Sequence, residues 1–202
     1  MAPHRPIKIL AVSDFVDSTL KDKITDKTLE PPDLIISCGD LPPEYLSFLR
    51  DRLDRPLFYV KGNHDIRYTE KNLMGCRNIH ARIVKYNCLK ILGLEGSMWY
   101  NGGQNQYTDK QIGRIIMGTW FPMLINKGID IVVTHAPPRH IHDAQDRCHM
   151  GFDSFVKLIK KRNPGCLIHG HIHKLFENND DRTTIVGRTR VINACGHTMI
   201  EV

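Results

Sequence analysis

The stretch Leu57-Phe58-Tyr59-Val60-Lys61-Gly62-Asn63-His64-Asp65 decides the fold. Four consecutive apolar residues without polar alternation predict a strand covered on both faces, as in a sheet held between other layers. The run stops near a glycine, and an amide, an imidazole and a carboxylate follow in succession. A strand end thus hands three donor-bearing side chains to one loop. Residues 7–13, 34–38, 129–133 and 166–168 are apolar runs of the same kind. Beside them stand Ser13-Asp14-Phe15-Val16, Gly39-Asp40, Thr134-His135 and Gly170-His171-Ile172-His173, so each strand is expected to deliver ligands into one shared cleft.

Helical patterns lie between these strands. Leu46, Leu49 and Leu53 follow Pro42-Pro43-Glu44 at helical spacing, and Phe155, Leu158 and Ile159 follow Asp153, which reads as an N-cap. Thr108-Asp109-Lys110-Gln111 is a capping box that opens a helix carrying Ile112, Ile115, Ile116 and Trp120 on one face, with Pro122 kinking or ending it. Residues 81–94 predict an antiparallel hairpin turning near Tyr86-Asn87, and residues 183–202 predict hairpins with turns near Gly187 and Gly196. Residues 93–107 form the one long irregular loop. Repeats, low-complexity tracts and a domain linker are absent, so residues 1–202 are expected to make a single α/β domain of packed sheets flanked by helices.

Composition bounds the function. Hydrophobic residues at 41% and charged residues at 25% are ordinary for a globular chain and exclude disorder. A chain of 202 residues is long enough to bury roughly 70% of its unfolded surface. The net charge of +6 leaves nucleic acid open as a partner without favouring it. The basic run at 157–162 ends a helix before Asn163-Pro164-Gly165, where cations offset the dipole and face water. Six dispersed cysteines without a CxxC pair fit reduced thiols in the cytoplasm. The longest uncharged stretch, 115–126, is well short of the ~20 residues that span a bilayer, and no membrane partner is expected.

Taken singly, Asp14 and Asp40 read as turn or cap residues, and a lone histidine reads as a satisfied core or surface group. Their combination and order change that reading. The blocks resemble the calcineurin-like metallophosphoesterase family, whose pattern runs DxH, GDxx, GNH[DE], an isolated His and GHxH. Asp14, Asp40, Gly62-Asn63-His64-Asp65, His135 and Gly170-His171-Ile172-His173 match it across nearly the whole chain, with 36 positions between His135 and His171.

The resemblance implies a four-layer αββα sandwich in which two mixed sheets pack face to face between helices. It also implies two divalent metal ions, with Asp40 bridging them, Asp14 and His173 completing one site, and Asn63, His135 and His171 the other. Imidazole mixed with carboxylate and amide oxygen suits Mn, Fe, Zn, Co or Ni, with Mn favoured. Two such ions can activate a bridging hydroxide for in-line attack on phosphorus. His64 matches the family residue that assists the leaving oxygen, with Asp65 or Glu44 as candidates to orient it. The sequence departs from the pattern at Val16, where the family supplies a histidine. Asp17 either takes that place as a ligand, or it supports the ligands from behind or simply caps a helix and leaves the corner to water.

Several further residues lie close to the presumed cleft. Arg139 offers a fork for phosphate, and Trp99, Tyr100 and Tyr107 offer faces for a base or simply pack on the helix. His169 falls outside the family pattern and reads as a supporting residue that faces the same way as His171. The expected activity is hydrolysis of a phosphomonoester or small phosphodiester such as a cyclic nucleotide. The alternatives are a nuclease on single-stranded nucleic acid and a non-catalytic calcineurin-like scaffold.

Overall fold

A computed structural model describes residues 5–69, 72–174, 176, 178 and 180–202. In chain order it holds β1 (Lys8–Ser13), α1 (Ser18–Thr25), β2 (Leu34–Ser37), α2 (Pro43–Leu53), β3 (Leu57–Tyr59), β4 (Cys76–Asn78), β5 (Ile83–Tyr86), β6 (Leu89–Leu94), β7 (Ser97–Met98) and β8 (Gln106–Tyr107). There follow α3 (Asp109–Gly118), α4 (Trp120–Ile125), β9 (Ile131–Thr134), α5 (Asp153–Arg162), β10 (Cys166–His169), a 3-10 turn at Asp180–Arg182, β11 (Thr183–Val186), β12 (Thr189–Asn193) and β13 (Gly196–Glu201).

One sheet has the order β13-β1-β2-β3-β4, and the other β11-β12-β10-β9-β6-β5. The inner strands of both run parallel, and this explains why they read as unbroken apolar runs. Ile9, Ala11, Ile36 and Phe58 of the first sheet meet Ile131, Val133, Ile168 and Ile192 of the second in a shared core. The outer face of the first sheet, through Leu10, Ile35 and Tyr59, packs with Leu20 of α1 and Leu46 and Leu49 of α2. Leu92, Val132 and Leu167 of the second sheet pack with Ile112 of α3, Met123 of α4 and Phe155 and Leu158 of α5. The result is the four-layer αββα sandwich.

Local chemistry accounts for the element ends. Thr108 Oγ1 accepts from Gln111 N, and Gln111 Oε1 accepts from Thr108 N, which completes the capping box. The helix ends at Gly118, before Pro122, and α4 restarts after Thr119; Trp120 therefore belongs to a separate short helix. Asp153 is the first helical residue of α5 and Phe152 its N-cap, so the aspartate acts through the dipole rather than as a cap. The hairpin β5-β6 turns at Asn87-Cys88, and β11-β12 turns at Gly187-Arg188.

One hairpin expectation is corrected. Gly196, at φ +74°, does not fold β13 back on β12; it passes the chain to the other sheet, where β13 pairs antiparallel with β1. The loop at 93–107 also has more order than expected, because β7 and β8 form a two-stranded parallel ribbon within it. Among the described residues no helix is long and apolar enough to cross a membrane.

Candidate metal centre

The ends of β1, β2, β3, β9 and β10 point into one cleft along the seam between the sheets. Asp14, Asp40 and His171 sit there with φ of +72°, +56° and +69°. Left-handed backbone is uncommon outside glycine and costs of order 1–3 kcal/mol per residue, which places strain where donor-bearing side chains leave their strands.

The donors converge on His135 Nε2, which lies 3.1 Å from Asn63 Oδ1, 3.1 Å from His171 Nδ1 and 3.3 Å from Asp40 Oδ2. Ligand atoms of Asp40, His135 and His171 all lie within 4.8 Å of one another, a group able to hold a metal ion. The far nitrogen of each imidazole faces a carbonyl: His135 Nδ1–H donates to Cys38 O at 2.8 Å, and His171 Nε2–H donates to Cys148 O at 2.7 Å. A carbonyl can only accept, so these bonds turn His135 Nε2 and His171 Nδ1 toward the cleft, where each ring, once that nitrogen is free of a proton, offers its lone pair to a metal. Asn63 Nδ2 donates to Tyr100 Oη at 3.3 Å, which aims its carbonyl oxygen at the same point.

Backbone packing keeps this point clear. A Cβ on Gly62 would overlap Asp40 Oδ1 and come within 2.6 Å of His135 Cε1; one on Gly39 would stand 2.9 Å from His135 Nδ1. Asp65 holds the loop in place, its Oδ2 accepting from Asp40 N at 2.8 Å and Gly62 N at 2.7 Å. Burial is the main cause that lifts this carboxyl to about 6.

A second cluster lies alongside. Asp14 Oδ1 accepts from His171 N at 2.8 Å, while Asp14 Oδ2 is buried with no hydrogen-bond partner among the described residues. Such an orphaned oxygen fits a cation. The exposed His173 places Nε2 3.8 Å from Asp14 Oδ1. Val16 is exposed and brings no donor. Asp17 is the N-cap of α1: Oδ1 accepts from Thr19 N at 2.9 Å, Thr19 Oγ1 at 2.7 Å and Leu20 N at 3.3 Å, and Oδ2 pairs with His197 Nδ1 at 2.6 Å. Both oxygens are engaged, so of the roles open to Asp17 the fold gives it the helix cap.

Electrostatics follow from this crowding. Burial would lower His135, yet the Asp40 carboxylate outweighs it and lifts the imidazole to about 9. Burial likewise opposes ionisation of Asp40, but His135 and the His64 backbone N–H hold it down at about 2. His171 is pushed down to about 3 by burial and then by the charge on His135. The His135 proton thus stands among the donors as a cation would. An incoming metal must displace it, so apparent metal affinity is expected to rise about tenfold per pH unit up to about pH 9. Competition with a chelating dye at several pH values measures the slope; a flat profile would remove His135 from the ligand set.

His64 stands at the rim, exposed, with its backbone N–H donating to Asp40 Oδ1 at 2.8 Å. A cavity of about 200 Å³ lined by Asp40, Pro42, His64, Arg67 and Tyr68 opens beside it. Of the two candidates to orient its ring, Asp65 gives Oδ2 to two backbone N–H groups, and Glu44 pairs with Arg67 at 3.3 Å.

Other expectations change. His171 and His173 do not share one side of an extended segment, because β10 ends at His169 and the left-handed turn at His171 sends one ring inward and the other to solvent. His169, the last residue of β10, is fully buried and engaged by other partners. Its Nε2 accepts from His142 Nδ1 at 2.8 Å, its Nδ1 donates to Gly170 O at 2.9 Å, and His142 Nε2 accepts from Thr184 Oγ1, so both rings are neutral supports. Arg139 is engaged by Asp143, Ala144 O and Gln145 and has no fork free for phosphate. Tyr107 donates to Glu95 and packs beside the second sheet, whereas Trp99 remains exposed.

A family model described as calcineurin-like phosphoesterase matches residues 7–175. The fold is similar to TT1561 of Thermus thermophilus, with TM-score 0.63 and 18% identity over 95% of this chain and 90% of that one. It is also similar to a dimetal phosphatase from Danio rerio, with TM-score 0.60 and 10% identity over 98% and 93%. The calcineurin-like phosphoesterase YfkN from Bacillus subtilis gives TM-score 0.56 and 16% identity over 99% and 85%. At these identities the likeness is one of fold. No curated protein matches the sequence.

Proposed function

The chain belongs to the calcineurin-like phosphoesterase family, and on that footing we propose that it hydrolyses a compact phosphate ester, a phosphomonoester or small phosphodiester, with two divalent metal ions. The observation that carries this reading is the meeting of Asn63, Asp40 and His171 donors on His135 Nε2, with both imidazoles locked by carbonyls. Asp40, Asn63, His135 and His171 would hold one ion. Asp14, His173 and the shared Asp40 would hold the other, in a more open position for want of a donor at residue 16. The bound ions would supply Lewis acidity toward the phosphoryl oxygens and lower the pKa of water, with Mn favoured by the donor set.

The chain's own groups do the rest. His64 at the open rim gives a proton to the departing ester oxygen, while Asp65 keeps Gly62 and Asp40 fixed so that the imidazole meets the substrate from one side. The cavity beside His64 is small, and this supports a compact leaving group over a nucleic acid strand. The six free cysteines suit work in a reducing cytoplasm.

A screen of metals against p-nitrophenyl phosphate, bis-p-nitrophenyl phosphate, cyclic nucleotides and single-stranded DNA tests the proposal. Metal-dependent turnover of a small ester is expected; turnover of DNA alone would make the chain a nuclease. The exposed Val16 and the engaged Asp17 favour one competing reading, a scaffold that keeps the fold without turnover. Protein that neither retains metal nor turns over any substrate in Mn-supplemented buffer would establish it.

A further inference from the structure

Positive charge on this chain is concentrated. The sequence has no acid from 110 to 127 or from 154 to 162, while Lys110 and Arg114 on α3 and Lys157, Lys160, Lys161 and Arg162 on α5 carry as much charge as the net +6 of the whole chain. A groove of about 460 Å³ runs between these helices, with Ile116, Met117, Trp120, Met123 and Leu158 in its lining. Asp109, at its end, is engaged: its carboxylate accepts from Ser154 N at 2.8 Å and Ser154 Oγ at 2.9 Å.

Beside the groove stands α4, which buries only Met123. Phe121 is 70% exposed, Leu124 56% and Ile125 65%, and Met117 at the end of α3 is 71% exposed. Trp120 is held between this apolar surface and the charge, with Lys161 Nζ 4.2 Å and Arg162 Cζ 4.1 Å from its ring centroid. Contiguous apolar surface rimmed by one sign of charge marks a contact face.

Charge and shape select the occupant. A second copy docked through this face would set the same cations against each other. An acidic helix seated in the groove would leave Phe121, Leu124 and Ile125 in water, and a nucleic acid strand has no use for the aliphatic pair. A bilayer surface satisfies all three features at once: apolar side chains enter the acyl boundary, tryptophan sits at headgroup level, and lysine and arginine meet lipid phosphates. We infer that α3, α4 and α5 dock this chain peripherally on an anionic phospholipid surface. No spanning helix is needed.

Cosedimentation of the full chain with vesicles tests this. Binding is expected to phosphatidylcholine vesicles containing about a third phosphatidylglycerol, with little to phosphatidylcholine alone, and with release at about 0.5 M salt. The double variant Phe121→Ser, Leu124→Ser should lower the partition coefficient at least about tenfold, and Lys157→Glu, Lys160→Glu should do the same. These side chains are exposed or partly exposed, so the thermal unfolding temperature should not move. Failure of the wild-type chain to bind anionic vesicles would overturn the inference. So would apolar double-variant binding equal to wild type, which would leave only non-specific charge attraction. A dimer that dissociates in the apolar double variant would instead assign the face to self-contact.

Discussion

Asp40→Asn is expected to strip the cleft of metal and abolish turnover without unfolding the chain. The substitution separates charge from shape. Asparagine tolerates the left-handed backbone of φ +56° at this position, and its carbonyl can still accept the His64 N–H. What goes is the anion that faces His135 Nε2 at 3.3 Å and would be shared between both ions. Loss of a residue that merely orients a ligand commonly lowers metal affinity 10- to 100-fold, so loss of a shared carboxylate should exceed about 100-fold. Metal content after desalting, measured by elemental analysis beside a circular dichroism spectrum, reads the outcome. A folded variant with wild-type metal content would exclude Asp40 from the centre.

The second large effect belongs to His64→Ala, with the opposite metal result. The His64 ring is exposed and is not among the groups that meet at His135 Nε2, so metal content should stay at the wild-type level. A general acid contributes typically 10²- to 10⁴-fold, and kcat on an alkyl phosphate should fall within that range. The p-nitrophenyl leaving group needs little protonation, so its ester should lose much less. That contrast distinguishes an acid from a residue that only shapes the rim: an equal loss on both esters would assign His64 to substrate positioning, and no loss on either would remove it from the reaction.

Much of the fold and of the cleft is legible in the chain itself. Parallel strands buried on both faces write themselves as runs such as 34–38 and 166–168, and the donors stand next to them because a strand end is where a buried chain can turn outward. What stays illegible depends on backbone angles and on distant partners. The turn at His171 has no signal in Gly170-His171-Ile172-His173, so period-two reasoning puts His171 and His173 on one side when the chain parts them. The carbonyls of Cys38 and Cys148 fix both imidazoles through backbone atoms, which every residue owns and no motif advertises. The destination of β13 is hidden for a related reason: a strand after a turn looks the same whether it folds back or crosses to the other sheet. Asp17 is the exception. Its spacing to Thr19 and Leu20 is that of an N-cap, and the cap is among the readings the sequence leaves open.

The donors of the cleft come from two different sheets. Asp14, Asp40 and Asn63 leave the sheet of β1, β2 and β3, whereas His135 and His171 leave that of β9 and β10. An ion gripping both sets would work as a rivet through the laminate, stabilising the native packing in proportion to how tightly it is held. Thermodynamic reciprocity runs the other way as well. Any loosening between Ile9 or Ile36 and Ile131 or Ile168, far below the surface and touching no ligand, would be felt at the cleft as weaker grip.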